Sequence, residues 1–249
     1  MNGPTRLTGG FHAVAAALRN GAAGIEYLAV DRNRLDKRME GLLQLARTMR
    51  VKIRLVERAE LDELGQGLTH QGVVLLASPR ITPQWDDFLP LLKEQPHPLL
   101  LLLDQVEDPR NLGAILRSAE VFGVSGVVVP RMHSAPLGPG AEKAAAGAAS
   151  LVDLFKVSNL ARTMEELKEA GFQIIGLAEE GSTSLPRSDL SGPLALVLGN
   201  EERGLRRLTR EHCDTLVSIP NQGRMASLNV SVAAGIVLYE VMRQRLAPR

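Results

Sequence analysis

Along the second half of the chain, unbroken apolar runs alternate with segments whose apolar residues recur every three or four positions. Leu99 to Leu103 is a run of leucine alone, followed later by Gly126 to Val129, Gln173 to Leu177 and Leu194 to Leu198. Short runs without polar alternation are the pattern of strands buried on both faces of a parallel sheet. Helical patterns lie between them at Asn111 to Phe122, Asn159 to Glu169 and Arg203 to Arg210. Residues 99–249 therefore read as a doubly wound α/β domain, a class whose ligands sit beyond the carboxyl ends of the strands. Ala141 to Ser150, rich in alanine and glycine, is expected to be a helix packed closely on a neighbour.

The first 78 residues show a smaller version of the same alternation. Helix-like segments at His12 to Arg19 and Lys37 to Arg50 are interleaved with apolar strands at Tyr27 to Val30, Ile53 to Val56 and Val73 to Leu76. This predicts a small α/β domain. Between Pro79 and Pro98 stand five prolines, and proline restricts both its own backbone and that of the residue before it. The linker is placed at 79–98, with room for one short helix.

Composition narrows the setting. With 249 residues, 45% of them apolar, the chain can bury real cores. A single cysteine, Cys213, supports neither a disulfide framework nor a cysteine-rich zinc site. The N-terminus lacks the apolar core of a signal peptide, and no stretch approaches the roughly 20 apolar residues of a membrane span. A cytoplasmic protein without a membrane partner is expected. The net charge of +1 neither demands nor excludes a polyanion, so a local group such as Arg203, Arg206, Arg207 and Arg210 matters more.

Three constellations carry candidate chemistry. The first, D-Q-V-E-D-P-R-N-L-G-A-I-L-R-S-A (Asp104 to Ala119), follows the leucine strand as a strand-to-helix loop. Leu112, Ile115, Leu116, Ala119 and Phe122 form one helical stripe, and Arg117 falls nearly opposite it. Arg117 either meets solvent or points into a cleft, and Asn111 has the alternative of being a helix cap. The second, L-G-N-E-E-R-G-L (Leu198 to Leu205), sets two glycines around carboxylates, as in a tight loop whose backbone approaches a ligand. It is no phosphate loop, because Leu205 and Arg206 stand where Lys and Ser/Thr are needed. Glu201 has the plainer alternative of stabilising the N-terminus of the following helix.

The third runs from Ile219 to Leu238, a polar loop passing into a small-residue apolar helix. Ser227 and Asn229 are residue types that cap helix starts, since their side chains accept from unpaired backbone N–H groups. Other chemistries are missing: there is no G-x-S-x-G, H-E-x-x-H or G-x-G-x-x-G. The five histidines have no metal-ligand spacing. His70, in T-H-Q-G-V, could line an RNA-facing surface, although a turn-stabilising role is the simpler expectation.

In this order, N-L-G-A-I-L-R-S-A, L-V-L-G-N-E-E-R-G-L and I-P-N-Q-G-R-M-A-S-L-N-V-S-V-A-A-G resemble the SPOUT methyltransferases of the SpoU/TrmH class. The resemblance extends over nearly the whole chain, since G-G-F-H-A-V, D-K-R-M and T-H-Q-G-V-V look like the ribosomal-protein-like substrate-binding domain attached to many of these enzymes. Asn159 to Met164 and Leu205 to Asp214 look closest to the branch that methylates a guanosine ribose of bacterial 23S ribosomal RNA. Glu202, Arg203 and Asn221 depart from the family's usual residues. The resemblance implies an RNA-binding domain at 1–78, a methyltransferase domain at 99–249 with a trefoil knot, and a homodimer.

It also implies S-adenosylmethionine as cofactor, with no metal, held by main-chain groups around Leu198, Gly199, Ile219, Pro220 and Leu228. Asn111, Arg117, Glu201, Ser227 and Asn229 are then the catalytic set. Arg117 is the family-matched candidate for handling the hydroxyl proton or the negative charge that develops on the oxygen. Two readings stay open, a transiently deprotonated base and a cation that stabilises the alkoxide, the second needing less from a group that keeps its proton. Rival readings are a transfer RNA ribose methyltransferase and a catalytically silent RNA-binding protein of the same fold. A dinucleotide-dependent oxidoreductase is set aside, because D-P-R-N-L-G offers no glycine fingerprint.

Overall fold

The computed structural model describes residues 6–19, 24–34, 36–78, 84–224 and 227–246. Residues 1–5 of the N-terminal reading, 79–83 of the expected linker, and Met225 and Ala226 of the third motif lie outside them. The chain divides into two compact units, 1–81 and 82–249.

In the first unit the elements are β1 (Arg6–Gly9), α1 (Phe11–Arg19), β2 (Ile25–Asp31), α2 (Lys37–Thr48), β3 (Ile53–Val56), α3 (Arg58–Gly65) and β4 (Val73–Ala77). The sheet order is β1-β4-β2-β3, with β4 antiparallel to both its neighbours and β3 parallel to β2. Asp36 starts α2 by accepting from Met39 N–H at 2.9 Å. Val14, Leu18, Leu28, Met39 and Leu75 fill one face of the sheet, and Val56, Leu61 and Val74 the other.

His70 is buried and serves its turn, as the simpler expectation had it. Its Nδ1 accepts from Gly72 N–H at 3.1 Å, so Nε2 carries the proton and donates to Asp62 at 2.7 Å. Gln71 and Gly72 have φ of 51° and 82°, the left-handed region that a glycine enters freely.

The second unit holds α4 (Trp85–Leu92), β5 (Leu99–Leu103), α5 (Pro109–Val121), β6 (Gly126–Pro130), α6 (Pro139–Ala145), β7 (Leu154–Val157), α7 (Leu160–Glu169), β8 (Gln173–Leu177), β9 (Thr183–Ser184), β10 (Leu194–Leu198), α8 (Arg207–Glu211), β11 (Thr215–Ser218) and α9 (Val230–Leu246). Its sheet runs β7-β6-β5-β10-β8-β11-β9, and every neighbouring pair is parallel. The leucine run sits at its centre. Because side chains alternate across a strand, Leu99, Leu101 and Leu103 enter the core under α5, α6 and α9, while Leu100 and Leu102 enter the core under α4 and α7. From β5 the chain first winds outward to β6 and β7, and the later strands lie on the other side. The β5/β10 boundary is thus the switch point where such sheets hold ligands.

Two expected helices are corrected. Arg203 to Arg206 is not helical: Asn200 and Gly204 pair across a tight loop, Gly204 has φ of 64°, and α8 begins only at Arg207. Ala141 to Ser150 is not one helix either, since Ala146 and Gly147 have φ of 49° and 97° and separate α6 from a 3₁₀ turn at Ala148–Ser150. The close packing is real: a Cβ on Gly113 of α5 would lie 2.2 Å from the Ala141 carbonyl oxygen of α6. Cys213 is packed beside Gly176, and burial pushes its thiol up to about 12.

Candidate active site

Three loops at the carboxyl ends of β8, β10 and β11 enclose a cavity of about 490 Å³. Leu198, Gly199, Ile219 and Leu228 line it, as do Glu201 and Ser227. Pro220 is exposed and lies outside the lining residues. The lining carries Glu179, Glu180, Glu201 and Glu202 against Arg203 and Arg210. Such a wall suits a ligand bearing positive groups and one carboxylate. The Glu180 carboxyl is held below the usual carboxylate range by a backbone N–H and by Arg210.

Beside the cavity, Glu201 ties three elements together. Its Oε1 accepts from Asn111 Nδ2 of α5 at 2.8 Å, from Asn229 Nδ2, and from Val230 N–H at 3.4 Å. Asn229 Nδ2 also donates to Asn111 Oδ1 at 3.1 Å. Its Oδ1 accepts from Ser231 N–H and Oγ at 2.9 and 2.5 Å and from Val232 N–H at 3.3 Å, which caps α9. Glu201 Oε2 takes no hydrogen bond from the described residues.

Asn111 is not a cap: Asp108 caps α5 by accepting from Arg110 N–H at 2.8 Å, Pro109 takes the first turn, and Asn111 is buried behind it. Glu201 does serve a helix start, but that of α9 rather than of α8. Asn229 both caps and joins the polar junction, whereas Ser227 is exposed and only lines the cavity. Replacing Asn229 by alanine is expected to lower the unfolding free energy by about 1 kcal/mol. Asn229→Ser, which keeps a capping oxygen, should recover most of that loss in denaturant titrations.

Arg117 is not brought to this junction. It is exposed on α5, six residues beyond the buried Asn111, lies outside the cavity lining, and forms no ion pair or hydrogen bond with a described residue. The arginine group after β10 is largely committed: Arg206 to Asp104, Arg207 to Glu211 and Arg210 to Glu180.

The loop after β10 owes its shape to residues that the motif reading passed over. Asp104, fully buried at the end of β5, accepts from Arg206 N–H at 2.9 Å and from its Nε at 2.6 Å. Asn200 donates to the Gln105 carbonyl at 3.0 Å, and its Oδ1 accepts from Glu202 and Arg203 N–H at 2.9 and 3.3 Å. A carboxylate placed directly after a leucine run was the available signal, because a buried charge requires partners. Gly199 is required by the loop's own backbone, since its Cβ would stand 2.2 Å from the Gly204 carbonyl carbon.

Residues 98–239 match the model of the SpoU rRNA Methylase family, and residues 9–83 match the RNA 2'-O ribose methyltransferase substrate binding domain. The chain is 46% identical over 239 residues to the 23S rRNA (guanosine-2'-O-)-methyltransferase RlmB of Pasteurella multocida, covering 96% of this chain and 98% of the relative. The enzyme of that name from Escherichia coli strain K12 is 46% identical over 236 residues, covering 95% and 97%. Among solved structures, the SpoU methyltransferase AviRb from Streptomyces viridochromogenes in complex with the cofactor AdoMet superposes with a TM-score of 0.72 at 29% identity, covering 98% of this chain and 92% of that one. Family models over both units, and relatives of this identity over nearly the full length, place the junction of α5, β10 and α9 in a known lineage: the chain belongs to the SpoU rRNA methylase family.

Proposed function

We propose that the protein methylates the 2′-hydroxyl of a ribose in RNA, that of a guanosine in 23S ribosomal RNA, with S-adenosylmethionine as donor. The observation that carries this reading is the Glu201 junction, which holds the loop after β10 to α5 and α9 at the mouth of the cavity. The cavity fits the donor. Its volume lies within the range of cofactor sites, Leu198, Ile219 and Leu228 offer apolar walls, and the glutamates face a cationic group. When bound, S-adenosylmethionine supplies a methyl group on positively charged sulfur, an excellent leaving group, so the reaction calls for no metal.

The residues divide the remaining work. Main-chain groups at Leu198, Gly199, Ile219 and Leu228 hold the cofactor, with Pro220 shaping the loop next to Ile219, and Glu201, with Asn111, Asn229 and Ser227, orients the ribose. Arg117 faces the 2′-oxygen as a cation. Arginine side chains keep their proton, so the group stabilises the negative charge that develops on oxygen while the hydroxyl proton leaves to solvent.

Homodimerisation belongs to this proposal. Val121 on α5 and Val232, Ile236 and Tyr239 on α9 are exposed, and Phe122 meets Tyr239 at 6.5 Å between ring centroids, so these apolar groups adjoin one another. A face of this kind is what a symmetric partner covers. Arg117, on the same helix as Val121, would then act in the partner's pocket. Residues 1–78 capture RNA and 99–249 catalyse, while 79–98 connect them and contribute α4 to the core of the second unit, with the trefoil knot shaping the cofactor loops and the enzyme working in the cytoplasm.

The test is methyl transfer from labelled S-adenosylmethionine to deproteinised 23S ribosomal RNA and to transfer RNA, with the modified position mapped. Methylation at one guanosine ribose of the ribosomal RNA is expected. Label entering transfer RNA alone would overturn the substrate, and no label in either would favour the silent RNA-binding protein.

A further inference from the structure

A second groove, of about 760 Å³, runs along β7, the strand that ends the sheet on the side away from β8 and β11. Trp85 of α4, Leu137, Arg131, Lys156 and Arg162 line it together with Asp86 and Glu166. Glu166 is already matched within the groove, where Oε1 accepts from Arg162 Nε and Oε2 from Trp85 Nε1, both at 3.0 Å. Arg131 and Lys156 are exposed and form no ion pair with a described residue; the one bond between them runs from Arg131 Nε to the Lys156 carbonyl at 3.4 Å. The surplus charge is therefore positive, two free cations against Asp86. Trp85 is half-buried and braced edge-on by Phe155 at 5.6 Å.

Free cations beside a braced aromatic side chain match the alternation of phosphate and base in single-stranded nucleic acid. A neutral or apolar peptide would leave both cations unused. Arg131 follows β6, and Ser158 and Asn159 follow β7, so the groove opens at the carboxyl edge of the sheet, as the cofactor cavity does. From β7 to β10 there are three strand spacings, about 14 Å, a span that a short stretch of RNA covers.

We infer that this groove is a second RNA subsite, which holds a single-stranded stretch flanking the methylated ribose with phosphates on Arg131 and Lys156 and a base against Trp85. The inference rests on the RNA methylation proposed above. Neither cation lines the cofactor cavity, so removing both alters RNA capture without touching the donor.

The experiment compares the full chain with the double variant Arg131→Ala, Lys156→Ala. Trp85 is the chain's single tryptophan, so its fluorescence reports on the groove directly. A short single-stranded oligoribonucleotide of mixed sequence should quench Trp85 in the unaltered protein. In the double variant its affinity should fall on the order of ten-fold, and the slope of log affinity against log salt should shrink by about 1.4. S-adenosylmethionine affinity by calorimetry should be unchanged. Equal affinity and salt slope in the two proteins would overturn the subsite while leaving methylation intact, and so would quenching by polyglutamate but not by the oligoribonucleotide. Absence of methyl transfer to 23S ribosomal RNA by the unaltered protein would instead overturn the reading beneath it.

Discussion

Replacing Arg117 by alanine is expected to slow methyl transfer by about a thousand-fold while S-adenosylmethionine binds as before. The first half follows from charge. A negative charge develops on the 2′-oxygen as the O–C bond forms, and an oriented guanidinium in a water-poor site stabilises it far more than water can. The second half follows from placement, because Arg117 is exposed on α5 and is absent from the cavity lining. Removing an exposed side chain with no partner among the described residues should also leave stability within about 0.5 kcal/mol. Arg117→Lys separates the open readings. A cation that stabilises charge should be partly replaced by lysine, with turnover well above that of the alanine variant. Calorimetry showing lost cofactor affinity in Arg117→Ala would remove the assignment altogether.

How far this site could be read from sequence depended on whether its parts were local. The leucine run was legible because a strand buried on both faces admits no polar residue, and β10 was legible for the same reason. β7 and β11 were not, since L-F-K-V and T-L-V-S are four residues long and each mixes polar with apolar positions. α3 was hidden by its acidic R-A-E-L-D-E-L-G sequence, in which Leu61 alone of the apolar side chains is fully buried. Asn229 was legible as a cap because capping is a bond to the next two or three residues. That it also meets Glu201 and Asn111 was not, because those contacts span 28 and 118 positions and depend on the sheet's winding. Glycine spacing suggested a loop that approaches a ligand, whereas Gly199 is fixed by the loop's own backbone. Arg117 shows the limit most clearly: its helical face could be derived, but in the structure that face is exposed and meets no hydrogen-bond or ion-pair partner among the described residues.

Gly199→Ala is expected to abolish measurable S-adenosylmethionine binding. The added Cβ would lie 2.2 and 2.4 Å from the Gly204 carbonyl carbon and oxygen and 2.4 Å from Leu205 N. All three are backbone atoms, so no side chain can rotate away and the loop itself must open. Opening it breaks the Asn200–Gly204 pair, whose N–H···O bonds are 3.0 and 2.9 Å, and shifts Glu201 from Asn111 and Asn229. The strands beneath are held by β5 and β8, so the domain should remain folded, with circular dichroism unchanged and the loss confined to the cofactor. Gly192→Ala is the control, because a Cβ there meets nothing within 4 Å. Since Gly199→Ala is expected to disable the pocket and Arg117→Ala the proposed cation, mixing the two inactive proteins tests the proposed dimer. If Arg117 acts across a two-fold interface, half of the re-assorted dimers contain one intact site, and activity should return to about a quarter of the wild-type level. If Arg117 serves the pocket of its own chain, every site in the mixture carries one defect and the mixture stays inactive.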